Sequence, residues 1–198
     1  MGVTVEDIKK LKELTGIGLT DAKVALVEAD GDFDKALEAL RKKGLTKAEK
    51  KGDREAREGV IDSYVHGGRI GVLVEVNCET DFVARLDGFK AFAHEIALQV
   101  ASMAPLYVSE ADIPADELAR VRAEATEKAA EGGKPADMLE KIVDGQVKKH
   151  FAEKVLLNQT YIKNEKQTVG EFLRENVAIL GENLVIRQFK RIELGVNE

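Results

Sequence analysis

The chain has 198 residues, of which 44% are hydrophobic and 33% are charged, a composition that excludes collagen-like, mucin-like and wholly disordered proteins. A net charge of −6 argues against a dedicated nucleic-acid-binding protein, and the single cysteine excludes an internal disulfide framework. No apolar run approaches the ~18 residues of a membrane span and the N-terminus lacks a signal-peptide core, so we expect a soluble, cytoplasmic protein.

Residues 1–44 predict a compact module of three short helices. Thr4 and Asp7 have the spacing of a capping box, and apolar residues then recur at helical spacing as far as Thr15. A second helix is expected to begin at Thr20 or Asp21, either of which would cap it. The apolar positions expected in the second and third helices are Val24, Leu26, Val27, Phe33, Leu37 and Leu40. Because so short a segment buries only a small core, we expect the module to serve as a docking piece.

A basic stretch follows the helical module. Residues 41–58 carry eight basic and four acidic side chains, a local charge of +4, so the rest of the chain sums to −10. This stretch is either a weak RNA or phosphate patch or a solvated linker with alternating charge, and such charge runs are more often linkers. We therefore interpret residues 45–58 as a basic linker.

After the linker, the spacing of apolar residues changes from helical to strictly alternating. Residues 59–66 and the alternating run at residues 69–79 flank Gly67-Gly68, a pattern that predicts an antiparallel β-hairpin. Residues 182–194 form a β-rich run that can add a third strand. The expected buried face of the second strand consists of Ile70, Val72, Val74, Val76 and Cys78, with Gly71, Leu73, Glu75 and Asn77 on the other face.

Helical spacing returns between these strands. A helix is predicted from about Asp87 to Ala104, and residues 114–151 predict two helices that form an antiparallel hairpin around a Gly-Gly-Lys-Pro turn. A short helix follows Thr168. The predicted fold class is α+β: the N-terminal module, the linker, and a core over residues 59–198 in which helices pack on a small antiparallel sheet. The expected stripe of the first of these helices is Phe89, Phe92, Ile96 and Val100.

The sequence contains no recognisable catalytic or metal-binding constellation. It has neither a GxxxxGK[ST] nor a GxGxxG phosphate loop, and its three histidines lack metal-ligand spacing. Cys78 lies on the apolar face of its strand and is expected to be a small buried hydrophobe. The alternative is a nucleophilic Cys78 paired with His66 across the hairpin, but no third group is available to orient the pair. The sequence therefore predicts neither an enzyme nor a cofactor.

The segment Glu79–Val83, with sequence ETDFV, is the most unusual feature of the chain. In one interpretation Thr80 or Asp81 caps a helical turn while Phe82 folds into the core. In the other, Phe82 is exposed and enters a pocket of a partner protein, with Asp81 at the polar rim. The residues by themselves slightly favour the first interpretation.

Four stretches resemble the bacterial elongation factor Ts family, in the order in which that family has them. Residues 8–26 (IKKLKELTGIGLTDAKVAL) resemble its N-terminal signature, and residues 75–85 (EVNCETDFVAR) resemble its second signature. Residues 133–151 and residues 181–187 (GENLVIR) are similar to further parts of the family. Four matches in order make the resemblance specific.

The resemblance implies a guanine-nucleotide exchange factor for the GTPase elongation factor Tu in protein biosynthesis. Such a factor binds the GDP form of the GTPase, displaces magnesium and GDP, and allows GTP to load. The family's Thr-Asp-Phe-Val motif intrudes near the magnesium and phosphate end of the nucleotide pocket. Carried over to this chain, Asp81 and Phe82 would be the wedge, and Thr80 and Val83 would shape its turn.

The resemblance also implies further contacts with the GTPase. The N-terminal module would dock on it through a loop that carries Ile17, Leu19 and Thr20. His66 belongs to a core hairpin that in relatives also touches elongation factor Tu.

The length of the chain leaves room for one core lobe, whereas longer family members have two. Short members act as homodimers, so the resemblance implies a two-fold homodimer, joined through the sheet. It implies no metal or cofactor, no direct nucleic-acid contact and no membrane contact. Two alternatives from other classes are an RNA-associated protein that uses the basic stretch and a small hydrolase that uses Cys78.

Overall fold

The computed structural model describes residues 3–15, 18–40, 51–131 and 136–196. It confirms the α+β class, with an N-terminal helical module and a small antiparallel sheet accompanied by further helices. The chain divides into two units, each built from segments that are distant in sequence. The first unit comprises Met1–Val60, Val76–Phe92 and Glu171–Val185, and the second comprises Ile61–Glu75, Ala93–Gly170 and Ile186–Glu198.

The N-terminal module consists of helices α1 (Val5–Thr15), α2 (Leu19–Glu28) and α3 (residues 33–40). Helix α1 begins after Thr4, the cap residue expected from the sequence: the Asp7 backbone N–H donates to Thr4 Oγ1 at 3.1 Å, and Thr4 Oγ1 donates to Asp7 Oδ2 at 2.5 Å. The three helices share a small core, as expected for a segment of this length. Its buried residues are Leu11, Ala22, Ala25, Leu26 and Ala36.

The start of α2 differs from the prediction. The helix begins one residue before Thr20, so that Thr20 and Asp21 lie within its first turn instead of capping it. Gly18 occupies the N-cap position, and no side chain of the described residues caps the helix there. The prediction that Thr20 or Asp21 caps this helix is therefore wrong.

Helix α2 does not bury all of its apolar positions. Val24 is 46% exposed and Val27 is 56% exposed, although both belong to the apolar positions of the predicted helix. Ala22, Ala25 and Leu26 are buried in their place. These three positions also satisfy the i, i+3, i+4 spacing of a buried stripe, and small alanines let neighbouring helices approach closely. The two valines are consequently turned toward solvent.

The larger sheet contains the predicted hairpin and the predicted third strand. Strands β1 (Glu58–His66), β2 (Ile70–Cys78) and β5 (Val185–Glu193) are arranged in the order β1-β2-β5, with β2 in the centre. The Leu194 backbone N–H donates to the Arg69 carbonyl at 2.8 Å, which aligns the end of β5 with the start of β2. The hairpin and the third strand are thus confirmed.

The alternation along β2 holds in its middle, whereas Ile70 at its start is only half-buried and Asn77 near its end departs from the pattern. Val72, Val74, Val76 and Cys78 are buried, and Leu73 on the opposite face is exposed. Asn77 was expected on the exposed face, but it is buried. Its side-chain Nδ2 donates to the Glu58 carbonyl at 3.2 Å, and this hydrogen bond offsets the cost of burying the amide.

The helices after the hairpin agree closely with the prediction. Helix α5 spans Asp87–Met103, and its stripe of Phe89, Phe92, Ile96 and Val100 is buried throughout. Helix α8 spans Val169–Leu180. In the first unit the rings of Phe92 and Phe172 pack with their centroids 5.3 Å apart, which joins the start of α5 to α8.

Helices α6 (Ala115–Glu131) and α7 (Ala136–Ala152), in the second unit, form the predicted antiparallel pair. Near the middle of the two helices, Arg122 Nη2 lies 2.6 Å from Asp144 Oδ1. Lys154, just after the end of α7, lies 3.6 Å from Glu117 near the start of α6. The predicted Gly-Gly-Lys-Pro turn between them lies outside the described residues. The core of the pair consists of Val121, Ala125, Ala129, Val143, Val147, Phe151 and Val155.

A second, two-stranded sheet was not predicted. Strands β3 (Thr160–Tyr161) and β4 (Asn164–Thr168) pair antiparallel in the second unit. Their residues are mostly polar and carry no apolar alternation. The buried Gln99 holds this region, since its Nε2 donates to the Thr160 carbonyl at 3.1 Å and its Oε1 accepts from the Ile162 N–H at 3.0 Å. A tertiary contact to a distant helix therefore supports a hairpin that periodicity does not reveal.

Gly59 on β1 lies very close to the backbone of Val76 on β2, and this close approach can be tested. Its φ is +151°, and a Cβ at this position would lie 2.1 Å from the Val76 carbonyl oxygen. We expect Gly59→Ala to lower the free energy of unfolding by about 2–4 kcal/mol, because backbone must move to admit the methyl group. Gly145→Ala on α7, where a Cβ meets nothing within 4 Å, is the matched control and should be neutral or slightly stabilising. Urea denaturation of both variants measures the difference, and equal stabilities would contradict the close approach.

Candidate functional site

The ETDFV segment forms a single exposed helical turn in the first unit. Helix α4 spans Asp81–Ala84, and Thr80 is its N-cap, with Oγ1 accepting from the Val83 N–H at 3.5 Å. The capping part of the first interpretation is therefore correct. Phe82, however, is 76% exposed, so the expectation that it folds into the core is wrong. A turn of four residues has only one side against the core, and Val83 and Ala84 occupy it.

The carboxylate of Glu182 holds the beginning of this turn. Glu182 Oε2 accepts from the backbone N–H of Glu79 at 3.1 Å and from that of Thr80 at 3.0 Å. Its other oxygen, Oε1, accepts from Thr80 Oγ1 at 2.6 Å. Hydrogen bonds to an ionised acceptor are shorter and stronger than neutral ones. Glu182 thus fixes the backbone immediately before Phe82 from a position 102 residues away in sequence.

A reciprocal set of contacts surrounds Glu182. Glu79 Oε1 accepts from the Asn183 backbone N–H at 2.7 Å, while Asn183 Nδ2 donates to the carbonyls of Arg54 at 2.7 Å and Gly52 at 3.3 Å. Three segments of the chain are joined here, namely residues 51–54, 79–80 and 181–183. Sequence reasoning assigned no role to Glu182 or Asn183. The available signal was their place in GENLVIR, one of the stretches that resemble the family.

The exposed side of the turn combines an acid with apolar side chains. Asp81 Oδ2 accepts from Arg85 Nη2 at 2.8 Å, one helical turn further along. Surface ion pairs of this kind contribute only about 0.2–1 kcal/mol, so a partner can displace Arg85 readily. Leu86 is also exposed and follows Phe82 by four residues. This surface suits insertion into a pocket with an apolar wall and a polar rim.

Cys78 lies beneath the turn and is fully buried. Its Sγ donates to the Thr80 carbonyl at 3.2 Å. Burial, followed by the negative charges of Glu182 and Glu58, raises the pKa of the Cys78 thiol to about 11. The thiol is therefore protonated at neutral pH and supports the backbone instead of acting as a nucleophile, which argues against the hydrolase alternative.

His66 lies in the second unit, at the end of β1, and is exposed. Its Nδ1 is 3.0 Å from the Tyr64 hydroxyl. The Tyr64 ring also packs edge-on against His94, whose Nδ1 lies 2.8 Å from Asp62 Oδ2. These contacts brace the hairpin end of the sheet with polar and aromatic groups.

The docking residues expected in the N-terminal module are described in part. Leu19 and Thr20 are both exposed at the start of α2, whereas Ile17 lies outside the described residues. The exposed Val24 and Val27 extend the apolar surface along the same side of this helix. The sequence pattern identified the two valines only as apolar positions of the helix and did not indicate them as candidate contact residues.

The basic stretch is described only from residue 51 onward. Lys51 donates to the Gly181 carbonyl, Arg54 lies 3.5 Å from Glu79, and Arg57 pairs with Glu55 at 2.6 Å. Intramolecular acceptors thus occupy these three cations.

The described part of the chain offers no cluster of three or more His, Cys, Asp or Glu side chains that could hold a metal ion. None of its described helices is long and apolar enough to cross a bilayer.

Comparison with known proteins gives one family. The family model described as "Elongation factor TS" matches residues 45–196. Elongation factor Ts of Geobacter sp. (strain M21) is 50% identical over 196 residues, covering 98% of this chain and 91% of the relative. Elongation factor Ts of Desulfosudis oleivorans is 49% identical over 189 residues, covering 95% and 96% respectively. The same factor of Thermoanaerobacter sp. (strain X514) is 48% identical over 194 residues, covering 98% and 95%.

The burial and raised pKa of Cys78 predict that its thiol reacts slowly in the folded protein. Compared with the ordinary value of 9.0, a pKa of about 11 lowers the thiolate fraction at pH 8 about a hundredfold, and burial slows the reagent further. We expect alkylation of native protein at pH 8 to be at least ~100-fold slower than alkylation in denaturant. Mass spectrometry of iodoacetamide-treated samples measures both rates, with free cysteine as the reference. Equal rates in native and unfolded protein would contradict the buried hydrogen-bonded thiol.

Proposed function

The chain belongs to the elongation factor Ts family, and from this membership we infer that it is a guanine-nucleotide exchange factor for elongation factor Tu in translation elongation. The observation that carries the proposal is Phe82, an aromatic side chain exposed on a turn that the rest of the unit holds in place. Burying such a ring in a partner supplies free energy that can be used to reshape the partner. We propose that Thr80, Asp81, Phe82 and Val83 form the element that displaces magnesium.

Exchange of this kind requires binding and no covalent chemistry. Magnesium bridges GDP to the GTPase and is a large local charge, so displacing its ligands weakens nucleotide binding. The coupling is reciprocal: if the factor lowers the affinity for GDP by some ratio, GDP lowers the affinity for the factor by the same ratio. The Phe82 turn must therefore bind best to a GTPase conformation that holds magnesium poorly.

Docking on elongation factor Tu is proposed for two further surfaces. The first is the exposed side of α2 in the N-terminal module of residues 1–44, with Leu19 and Thr20, together with Ile17, which precedes α2 in the sequence. The second is the hairpin end that carries His66. These contacts would determine affinity, while the Phe82 turn would determine the rate of nucleotide release. The proposed role involves no catalytic residue or cofactor and no contact with nucleic acid or membrane, and it places the protein in the cytoplasm.

We further propose that the factor acts as a two-fold homodimer joined through the larger sheet. Ile61, Val65, Leu73 and Ile192, all in the second unit, are between 53% and 73% exposed. They lie on the face of the sheet opposite the buried Val72 and Val74. Large apolar side chains exposed together on one sheet face mark an interaction surface, and a self-complementary two-fold contact is the commonest way to cover them.

The exchange activity can be tested by stopped-flow release of a fluorescent GDP analogue from elongation factor Tu. We expect the wild-type chain to accelerate release and Phe82→Ala to reduce the acceleration at least ~10-fold, because the inserted ring is lost. Asp81→Ala should reduce it as well. Leu106→Ala, which truncates another exposed apolar side chain in the second unit, is the control and should retain full activity. A folded wild-type chain that leaves GDP release unchanged would overturn the proposed function.

The homodimer can be tested by analytical ultracentrifugation at micromolar concentration. We expect a dimer for the wild type and a monomer for the double variant Leu73→Glu with Ile192→Glu, because four charges would be buried at the two-fold contact. Leu106→Glu adds a charge at an exposed apolar residue that belongs to no strand of the sheet, and it should leave the dimer intact. A wild-type monomer, or a double variant that still dimerises, would contradict this interface.

A further inference from the structure

We propose that Glu182 is the positioning residue of the exchange reaction: its carboxylate holds the Phe82 turn in the geometry that enters the GTPase. This inference rests on the proposed function and assigns a role to a residue that need not touch the partner. The turn is only weakly stabilised by its own hydrogen bonds. Helix α4 has only four residues, and its own capping bond, from the Val83 N–H to Thr80 Oγ1, is long at 3.5 Å.

A helical turn this short does not persist by itself, since nucleation of a helix fixes several residues for one hydrogen bond. Glu182 supplies the additional hydrogen bonds that hold the start of the turn. Its carboxylate accepts three hydrogen bonds, from two consecutive backbone N–H groups and from Thr80 Oγ1. The hydroxyl that caps the turn is thereby oriented, because its hydrogen is directed at Glu182 Oε1 at 2.6 Å and its lone pairs remain available to Val83.

Glu182 is itself held firmly enough to act as an anchor. The neighbouring Asn183 is buried, and its backbone N–H and side chain are bonded to Glu79 and to the carbonyls of Gly52 and Arg54. Gly181 on the other side adopts φ +80° and accepts a hydrogen bond from Lys51. The side chain of Glu79 binds the 181–183 segment while that of Glu182 binds the 79–80 segment, so that each fixes the other.

Preorganisation is the expected consequence. A mobile Phe82 would have to be ordered at the moment of insertion, and that cost would reduce the rate of nucleotide release. The docking surfaces of the N-terminal module would be unaffected. Loss of the Glu182 carboxylate should therefore lower the maximal exchange rate while leaving the half-saturating concentration of the factor nearly constant.

The experiment measures GDP-analogue release from elongation factor Tu as a function of factor concentration for Glu182→Gln and Glu182→Asp. We expect Glu182→Gln to lower the maximal rate about tenfold with a change of less than about threefold in half-saturation. Glu182→Asp retains the charge and should recover part of the rate. Glu127→Gln, which removes one negative charge from the exposed surface of α6, is the matched control and should behave as wild type.

A second measurement reports the position of the turn without the GTPase. The chain has no tryptophan, so Phe82→Trp introduces a single indole at the tip of the turn. Adding Glu182→Gln to this variant should lower the steady-state fluorescence anisotropy of the indole, whereas adding Glu127→Gln should not. Circular dichroism measures whether each variant is folded. If Glu182→Gln is unfolded, the same comparison is made with Glu182→Asp.

The outcomes separate the two proposals. An unchanged maximal rate, or a loss confined to half-saturation, would overturn the role of Glu182 while wild-type acceleration still supported the exchange function. A wild-type chain without exchange activity would overturn the exchange function. Unchanged anisotropy on adding Glu182→Gln would overturn the positioning role regardless of exchange activity.

Discussion

The hydrogen bonds between the Glu182 carboxylate and the backbone of residues 79–80 are the interaction on which the candidate site depends. They connect the end of the central strand β2 to the segment that enters β5, and they begin the turn that carries Phe82. Exposing the Phe82 ring to water has a free-energy cost that burial in a partner would recover. Here the cap at Thr80 and the burial of Val83 and Ala84 leave the ring in solvent.

The chemistry of the site suits a factor that acts by binding. Its single thiol is buried and protonated, and its carboxylates accept hydrogen bonds from the protein's own backbone or pair with arginine. What the molecule presents to solvent instead is apolar surface: Phe82 on the turn, the valines of α2, and one face of the larger sheet. Each of these surfaces exposes apolar area whose burial against another protein is favourable, and this is the free energy that an exchange factor must draw on.

Local periodicity predicted those elements in which burial follows directly from residue spacing. The alternation in residues 69–79 and the stripe of α5 are both long. In each of them only one face of the element collects the apolar residues, so the hairpin and the helix could be located from the sequence. The predictions failed where two phases were possible or where a polar group found a distant partner. In α2 a stripe of alanines competes with a stripe of valines, and in β2 Asn77 is buried against Glu58.

Patterns along the chain were sufficient to predict the α+β class, the hairpin with its third strand, the Thr4 cap of α1, and the family to which the chain belongs. These properties depend on spacing within short segments or on the order of several motifs along the chain. That Phe82 faces solvent and that Glu182 holds the turn became evident only from the three-dimensional structure. The reason is physical: each of these outcomes depends on an acceptor or a packing partner supplied by a remote segment, 102 residues away in the case of Glu182 and Thr80. Nothing in the local pattern of ETDFV specifies which remote side chain will meet it.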